Sequence, residues 1–312
     1  MILIFKHIFI VIEQVMTEYL QADALKAVVA GKNGIDMDVI VHKTIDSTNS
    51  WSLQQCRAGK TLPFACFAEE QKAGRGRRGK QWLMSADTNI ALSISWPFDL
   101  SYQKLHLLPL SIALAIVDTL EDLNLKHVQI KWPNDVYVRG KKIAGILIEA
   151  QPVKAISADG ITVDKSPLGR TQTAMVIGIG LNYDMSSFAN TPEHEKHQII
   201  PDLTDVEREM KSQAIEKKID RIMVASSLLQ NVVDVCQNFP QDSNQYLEKF
   251  RRQYDYCESK TVEVILDDLR RVTGIAQGVS DNAELIVLID GKERLFNSAV
   301  VSVKARNLSD LV

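Results

Sequence analysis

Cysteine is scarce in this chain. Cys56, Cys66, Cys236 and Cys257 stand far apart, without the paired short spacing or neighbouring histidines that a zinc site needs. They read as reduced thiols of a cytoplasmic protein with no metal site of its own. An excess of charge of either sign is also missing. The formal net charge is −3 and the pI near 6.1, so the molecule as a whole does not attract nucleic acid or anionic lipid, and phosphate binding needs a local basic cluster. No apolar run is long enough for a membrane span, which takes about 18 residues. The longest, from Ile2 to Ile12, is interrupted by Lys6 and His7, stops at Glu13 and has no small-residue cleavage site after it. It reads either as an extra strand or as sequence upstream of a start at Met16. Internal repeats are absent as well.

What is present is ordinary globular composition. Of 312 residues, 46% are hydrophobic and 24% charged, enough for two domains or one large one. The pattern predicts a helix over 22–29 closed by Gly31 to Gly34, and a second running from Asp46-Ser47-Thr48, whose side chains suit a helix N-cap, towards Arg57. Strands are expected at 39–41, 64–68, 89–96, 128–132, 136–138, 143–149 and 174–181. A helix apolar nearly all round is expected over 105–123, and further helices over 215–239 and 243–256. Together these give an α+β layer. Residues 152–172, rich in Ser, Gly, Pro, Asp and Lys, read as a flexible surface insertion. Beyond Ser259, short strands at 261–266, 285–289 and 299–303 between Asp, Gly and Asn turns mark a small all-β domain.

Three stretches carry chemistry. In Gln71-Lys-Ala-Gly74-Arg75-Gly76-Arg77-Arg78-Gly79-Lys-Gln-Trp82, glycines let the backbone fold close around an anion while arginines neutralise it. Alone, such a loop reads equally as a solvated basic turn or a nucleic-acid segment. Trp82 offers an aromatic face for a purine, or fills core. Lys131-Trp132-Pro133-Asn134-Asp135 sets a lysine beside a rigid turn that fixes its direction against phosphate oxygens. Ile177-Gly-Ile-Gly-Leu-Asn182 allows close approach at alternate strand positions, for a ligand or for packing.

These blocks, with Asp46-Ser47-Thr48-Asn49 and Gly140-Lys-Lys-Ile-Ala-Gly-Ile-Leu-Ile-Glu149, occur in the order and spacing of biotin protein ligases, and the chain resembles that family over roughly residues 22 to 308. The resemblance implies a catalytic domain with a central mixed sheet and helices over 22–257, a small SH3-like β-barrel over 258–312, and an N-terminal extension over 1–21. It implies ATP-dependent formation of biotinyl-adenylate and transfer to a lysine of the biotin carboxyl carrier domain of acetyl-CoA carboxylase. ATP and biotin would be substrates, and Mg2+ would arrive on ATP rather than in a protein metal site. Ser47, Thr48, Asn49, Gln71, Arg75, Gly76, Arg77 and Lys131 match the biotin contacts, and hydroxyl plus amide side chains suit the donors and acceptor of a ureido group. Arg78, Trp82, Asn134, Lys142 and Asn182 match the nucleotide side. Lys131 and Arg77 are the expected catalytic pair, and the arginine-glycine loop the expected lid, mobile when empty.

The family's C-terminal Gly-Glu pair and Ser-Leu-Arg run are replaced here by Ala299-Val300 and Ser302-Val303-Lys304, and the glycine expected before Leu285 is Ala283, with Glu284 inserted in the turn. The residues before Ala22 are too few for the winged helix-turn-helix of bifunctional members, so no specific DNA binding, no membrane association and a monomer or homodimer are expected. The rival readings are a lipoate or octanoate enzyme of the same fold, a biotin sensor without activity, and an RNA-binding protein using the loop.

Overall fold

The computed structural model describes residues 19–84, 86–98, 105–152, 155–156, 162–163, 173–187, 202–217, 219–239, 241–266, 270–298 and 301–306. The expectations for Met1 to Ile12, for a start at Met16 and for Ala299-Val300 fall outside these residues.

Helix α1 (Ala22–Asn33) runs past Gly31 and ends at Gly34, which takes the left-handed conformation (φ 65°) that a C-cap needs. Strand β1 (Asp38–Ile45) leads into α2 (Thr48–Arg57), and the Ser47 side chain accepts from the Ser50 N–H at its start. Then follow β2 (Phe64–Gln71), β3 (Ile90–Phe98), α3 (Leu108–Asp122), β4 (Val128–Lys131), β5 (Asp135–Val138) and β6 (Lys141–Pro152). Within the 152–172 insertion the described residues pair β7 (Ala155–Ile156) with β8 (Thr162–Val163), and β9 (Thr173–Leu181) returns to the sheet. Helices α4 (Val206–Ser212), α5 (Arg221–Asn238) and α6 (Ser243–Lys249) precede β10 (Thr261–Leu266), β11 (Arg271–Val279), β12 (Leu285–Ile289), β13 (Lys292–Phe296) and β14 (Val301–Arg306).

The main sheet is mixed, in the order β1-β2-β3-β9-β6-β5-β4, with β1 and β2 parallel and the other neighbours antiparallel. The second sheet is wholly antiparallel, β13-β12-β11-β10-β14, and forms a small barrel-like unit. The expected α+β class with a central mixed sheet and a small C-terminal β-domain is the one found.

Alternation along the central strands decides where the site lies. In β9, Ile177, Ile179 and Leu181 enter the large core with Ile90, Leu92 and Ile94 of β3, under the apolar helix α3. Val176, Gly178 and Gly180 face the other way. There α2 covers one end through a small separate core of Leu53, Cys56, Phe64, Ala174 and Val176. The rest of that face carries Ser93, Gly178, Gly180, Gly145, Leu147 and Glu149, which the registers of β3, β9 and β6 place side by side. A one-residue slip would exchange the polar floor for the apolar core.

One buried ion pair ties the backbone at Leu20, just before α1, to this frame. Glu69 accepts from the Leu20 N–H at 2.6 Å and pairs with Arg221 at 2.5 Å, while Arg221 also donates to the Asn89 carbonyl at 3.2 Å. Both side chains are nearly inaccessible. Removing one partner strands the other charge, which costs about 3 to 5 kcal/mol. Arg221→Ala should therefore lower the urea unfolding midpoint markedly, whereas Arg221→Ala/Glu69→Leu should recover much of the loss. Equal midpoints for the single variant and the wild type would refute it.

Several elements differ from expectation. Helix α5 begins at Arg221 rather than 215, because the Asp220 side chain caps the Met223 N–H at 2.9 Å. The helix expected over 243–256 is α only to Lys249 and continues as a wider π turn over Phe250–Tyr254. Helix α4 and strands β11 and β13 were not expected. Ala283 has a positive φ of 55°, the conformation glycine favours, and its carbonyl accepts from the Trp132 indole at 2.8 Å.

Candidate functional site

The site is a cleft on the glycine-bearing face of the main sheet, lined by Ser47, Thr48 and Asn49 at the start of α2, Gln71 at the end of β2, the loop from Arg75 to Trp82, the β4–β5 turn with Lys131 to Asp135, and Lys142. Of the candidate residues named above, every one but Asn182 lines it. Asn182 is buried, donates its amide to the Thr204 carbonyl at 3.1 Å and supports the start of α4 instead.

The floor is a chain of hydrogen bonds. Gln71 Oε1 accepts from the Thr48 N–H at 2.8 Å and from its hydroxyl at 3.1 Å. Ser93 Oγ lies 2.8 Å from Thr48 Oγ1 and 2.6 Å from Asn49 Oδ1, and Asn49 Nδ2 donates to Glu149 at 3.0 Å and to the Leu147 carbonyl at 3.2 Å. The two β9 glycines are required by what lies on them. A Cβ on Gly178 would sit 2.2 Å from Asn49 Oδ1, and one on Gly180 would sit 2.2 Å from the Trp82 ring. Trp82 thus packs closely over Gly180 and Gly145, with the Lys142 ammonium 5.4 Å from its ring centre.

The loop is closed by its own backbone and by its arginines. Gly76 N–H donates to the Lys80 carbonyl at 2.7 Å and Trp82 N–H to Gly74 at 2.9 Å, and a Cβ at Gly74 would strike the Trp82 carbonyl at 2.4 Å. Arg75 bonds Glu149 at 2.5 Å and the Ser50 hydroxyl at 3.1 Å. Arg77 bonds Asn134 Oδ1 at 2.9 Å and also the Ser298 carbonyl of the C-terminal unit. Arg78 reaches the Ile265 carbonyl at 3.4 Å. Three arginines therefore tie the loop to β6, α2, the β4–β5 turn and the C-terminal unit.

Lys131 projects from the end of β4 on the same face as Tyr137, its diagonal neighbour across the hairpin. Its Nζ is 3.3 Å from the Tyr137 hydroxyl and 5.3 Å from the ring centre. Burial lowers its pKa, against the pull of Cys257 and Asp135, and nearby Lys142 and Lys80 lower it further. Burial lowers that of Arg77 too. The cleft carries six cations, Arg75, Arg77, Arg78, Lys80, Lys131 and Lys142, against one carboxylate, Asp135, which is ion-paired with Lys142 at 2.8 Å. In a protein of net charge −3, that local excess defines a site for a polyanion. Among the described residues no cluster of carboxylate, histidine and cysteine side chains is fit to hold a metal ion, and no helix is long and apolar enough to cross a membrane.

The mixed sheet with its helices and the small antiparallel β-unit match the fold of biotin protein ligases. The chain superposes on the biotin protein ligase of Aquifex aeolicus, solved in complex with biotin and ATP, with a TM-score of 0.63 at 23% identity, covering 86% of this chain and 99% of that one. Residues 41–166 match the sequence pattern of the biotin/lipoate A/B protein ligase family. The chain is 27% identical over 272 residues to the bifunctional ligase/repressor BirA of Salmonella typhimurium, spanning 86% of this chain and 75% of that protein. It is 29% identical over 272 residues to the biotin–[acetyl-CoA-carboxylase] ligase of Mycobacterium tuberculosis, spanning 84% and 87%.

Sequence reasoning left Ser93, Glu149 and Tyr137 without roles. The two serines in the otherwise apolar strand at 90–98 were the available signal for Ser93, since a buried hydroxyl needs a partner.

Proposed function

We propose that the chain forms biotinyl-adenylate from biotin and ATP and transfers biotin to a lysine of a biotin carboxyl carrier domain, that of acetyl-CoA carboxylase. The observation that carries this reading is the juxtaposition in one cleft of a polyanion-binding set of cations with an uncharged floor of hydroxyl and amide groups. Ser47, Thr48, Asn49 and Gln71 suit the biotin ureido group, and Arg75 and Gly76 cover it. Trp82, Lys142, Arg78 and Asn134 suit the nucleotide. A carboxylate oxygen of biotin attacks the α-phosphorus of ATP and pyrophosphate leaves. Because anion approaches anion, the Lys131 and Arg77 cations lower the barrier by offsetting their repulsion. The carrier's neutral ε-amine then attacks the anhydride carbonyl and AMP departs. Magnesium suits the phosphates of ATP, since the cleft's lone carboxylate is occupied by Lys142. Four buried free thiols agree with a reducing, cytoplasmic setting.

The test is incubation with biotin, ATP, magnesium and a carrier domain, followed by intact mass measurement, with lipoate in place of biotin as a parallel arm. One biotinyl group on the carrier supports the proposal. Lipoylation instead would transfer the site to the related acyl chemistry, and pyrophosphate exchange with neither acid would refute both.

The glycine floor yields a further expectation. Gly180→Ala pushes Trp82 out of its slot, and loss of a base-stacking ring is worth about 1 to 3 kcal/mol. The KM for ATP should rise roughly 5- to 150-fold while biotin binding, followed by thermal shift, stays close to wild type. An unchanged KM for ATP would take Trp82 out of the nucleotide site.

A further inference from the structure

Glu149 does not line the cleft, yet two parts of the cleft meet on its carboxylate. One oxygen accepts from Asn49 Nδ2 at 3.0 Å, and the other accepts from Arg75 Nη2 at 2.5 Å. An ionised carboxylate only accepts hydrogen bonds. Asn49 must therefore turn its NH2 towards Glu149 and its carbonyl oxygen towards the Ser93 hydroxyl, 2.6 Å away. At the other end of the floor, the Thr48 N–H fixes the Gln71 carbonyl oxygen, so the Gln71 NH2 is turned away towards Met84 Sδ, 3.6 Å off. The orientation of Asn49, which decides whether the floor offers donors or acceptors, is thus set from outside the pocket by two acceptors, the Glu149 carboxylate and the Leu147 carbonyl at 3.2 Å.

The Glu149 carboxylate also holds the loop. Arg75 stands in the loop's first turn, and its only other described hydrogen-bond partner is Ser50, in the first turn of α2. We propose that Glu149 is a positioning residue that couples the two: its carboxylate orients Asn49 in the ligand floor and clasps Arg75 of the loop, so that floor order and loop closure rise and fall together. This rests on the adenylate-forming reading above, and deepens it by naming what links ligand recognition to retention of the intermediate. The coupling needs both oxygens at once. A disordered floor would free one oxygen to leave its geometry, and an open loop would remove the cation that keeps the carboxylate facing the cleft.

The experiment compares wild type with Glu149→Gln, Glu149→Ala, Arg75→Ala and the double variant Arg75→Ala/Glu149→Gln. Glutamine retains an acceptor for Asn49 and loses the charge for Arg75. It should keep the KM for biotin within about threefold while releasing adenylate about three- to tenfold faster, as expected when a charge-assisted bond at a partly exposed site is lost. Alanine should raise the KM for biotin about tenfold as well, by leaving the Asn49 amide with the Leu147 carbonyl as its one remaining acceptor. Arg75→Ala should add little to Glu149→Gln, because both remove the same clasp. A merely structural role would change the thermal midpoint and leave these splits absent. Full additivity, or an unchanged KM for biotin in the alanine variant, would overturn the coupling.

A second readout does not depend on activity. Amide hydrogen exchange of the ligand-free protein should be faster at Gly76, Lys80 and Trp82, whose N–H groups close the loop, in Glu149→Gln and Arg75→Ala alike. Exchange equal to wild type would show that the clasp does not hold the loop, even if the enzyme proved inert towards biotin. Faster exchange without biotin turnover would instead keep the clasp and defeat the function assigned to the site.

Discussion

On the proposed reaction, replacing Lys131 by alanine should lower adenylate formation at least about 100-fold, the scale of losing one well-placed charge stabiliser from a transition state. The ammonium is held where it can act. Its stem leaves the end of a strand, its Nζ touches the Tyr137 hydroxyl at 3.3 Å, and Tyr137 itself stacks on Tyr256 with ring centres 4.9 Å apart. In the free protein burial disfavours its charge, so the approach of two anionic substrates relieves a cost that the fold has already imposed. The same reasoning fixes a pH dependence. A lysine whose pKa is lowered loses its proton at lower pH than an exposed one, so the alkaline limb of kcat/KM for adenylation should fall below the ordinary lysine range. Lys131→Arg, which cannot deprotonate, should remove that limb even where its geometry costs rate. Pyrophosphate exchange across pH measures all three proteins. Near-normal exchange in a folded Lys131→Ala protein would remove the residue from the chemistry.

The parts of this molecule that local chemistry dictates were legible. Ser47 is a cap residue followed by a helix, and α2 starts there. The apolar alternation of 90–96 and 174–181 placed the two central strands, and glycines next to arginines marked the loop. What could not be read depends on partners distant along the chain. Glu149 and Arg75 are 74 residues apart, and nothing near either names the other. Asn182, at the end of a glycine-rich strand, has the chemistry of a ligand contact, but its amide serves the Thr204 carbonyl. Strand β11 escaped notice because Gly274 interrupts its pattern. The interruption has a cause, since a Cβ there would meet the Leu288 carbonyl at 2.5 Å. Strand β13, Lys-Glu-Arg-Leu-Phe, is almost wholly exposed at the sheet's edge, where charged residues are suited to blocking further pairing rather than to alternation. Helix α4 has seven residues, too few for a helical period to declare itself. Of the C-terminal departures, Lys304 is placed in β14 opposite Glu263, while its side chain lies outside the described residues.

Arg77→Gly should turn a carrier-specific ligase into one that labels bystanders. Arg77 joins the loop to Asn134, whose amide is itself bonded to the Ile146 carbonyl at 2.9 Å, and to the Ser298 carbonyl of the C-terminal unit. It therefore bridges three elements across the mouth of the cleft. Each charge-assisted bond of this kind contributes about 1.5 to 3 kcal/mol. Glycine removes both bonds and adds backbone freedom costing about 0.5 to 1 kcal/mol of order. The open loop gains population accordingly. Lys131, Lys142 and the floor from Ser47 to Gln71 are untouched, so adenylate still forms, more slowly for want of the Arg77 cation, but it departs before a carrier lysine reaches it. Free biotinyl-adenylate acylates any accessible amine. The measurement is biotin incorporated into serum albumin relative to carrier domain, with biotin and ATP in excess, for wild type and variant. Wild type should modify the carrier almost alone, whereas the variant should modify albumin in proportion to albumin concentration. A variant that makes adenylate at the normal rate and still modifies only the carrier would show that closure does not depend on Arg77. A variant that makes none would show that the Arg77 cation is indispensable to adenylyl transfer, and that its part in the chemistry outweighs its part in closure.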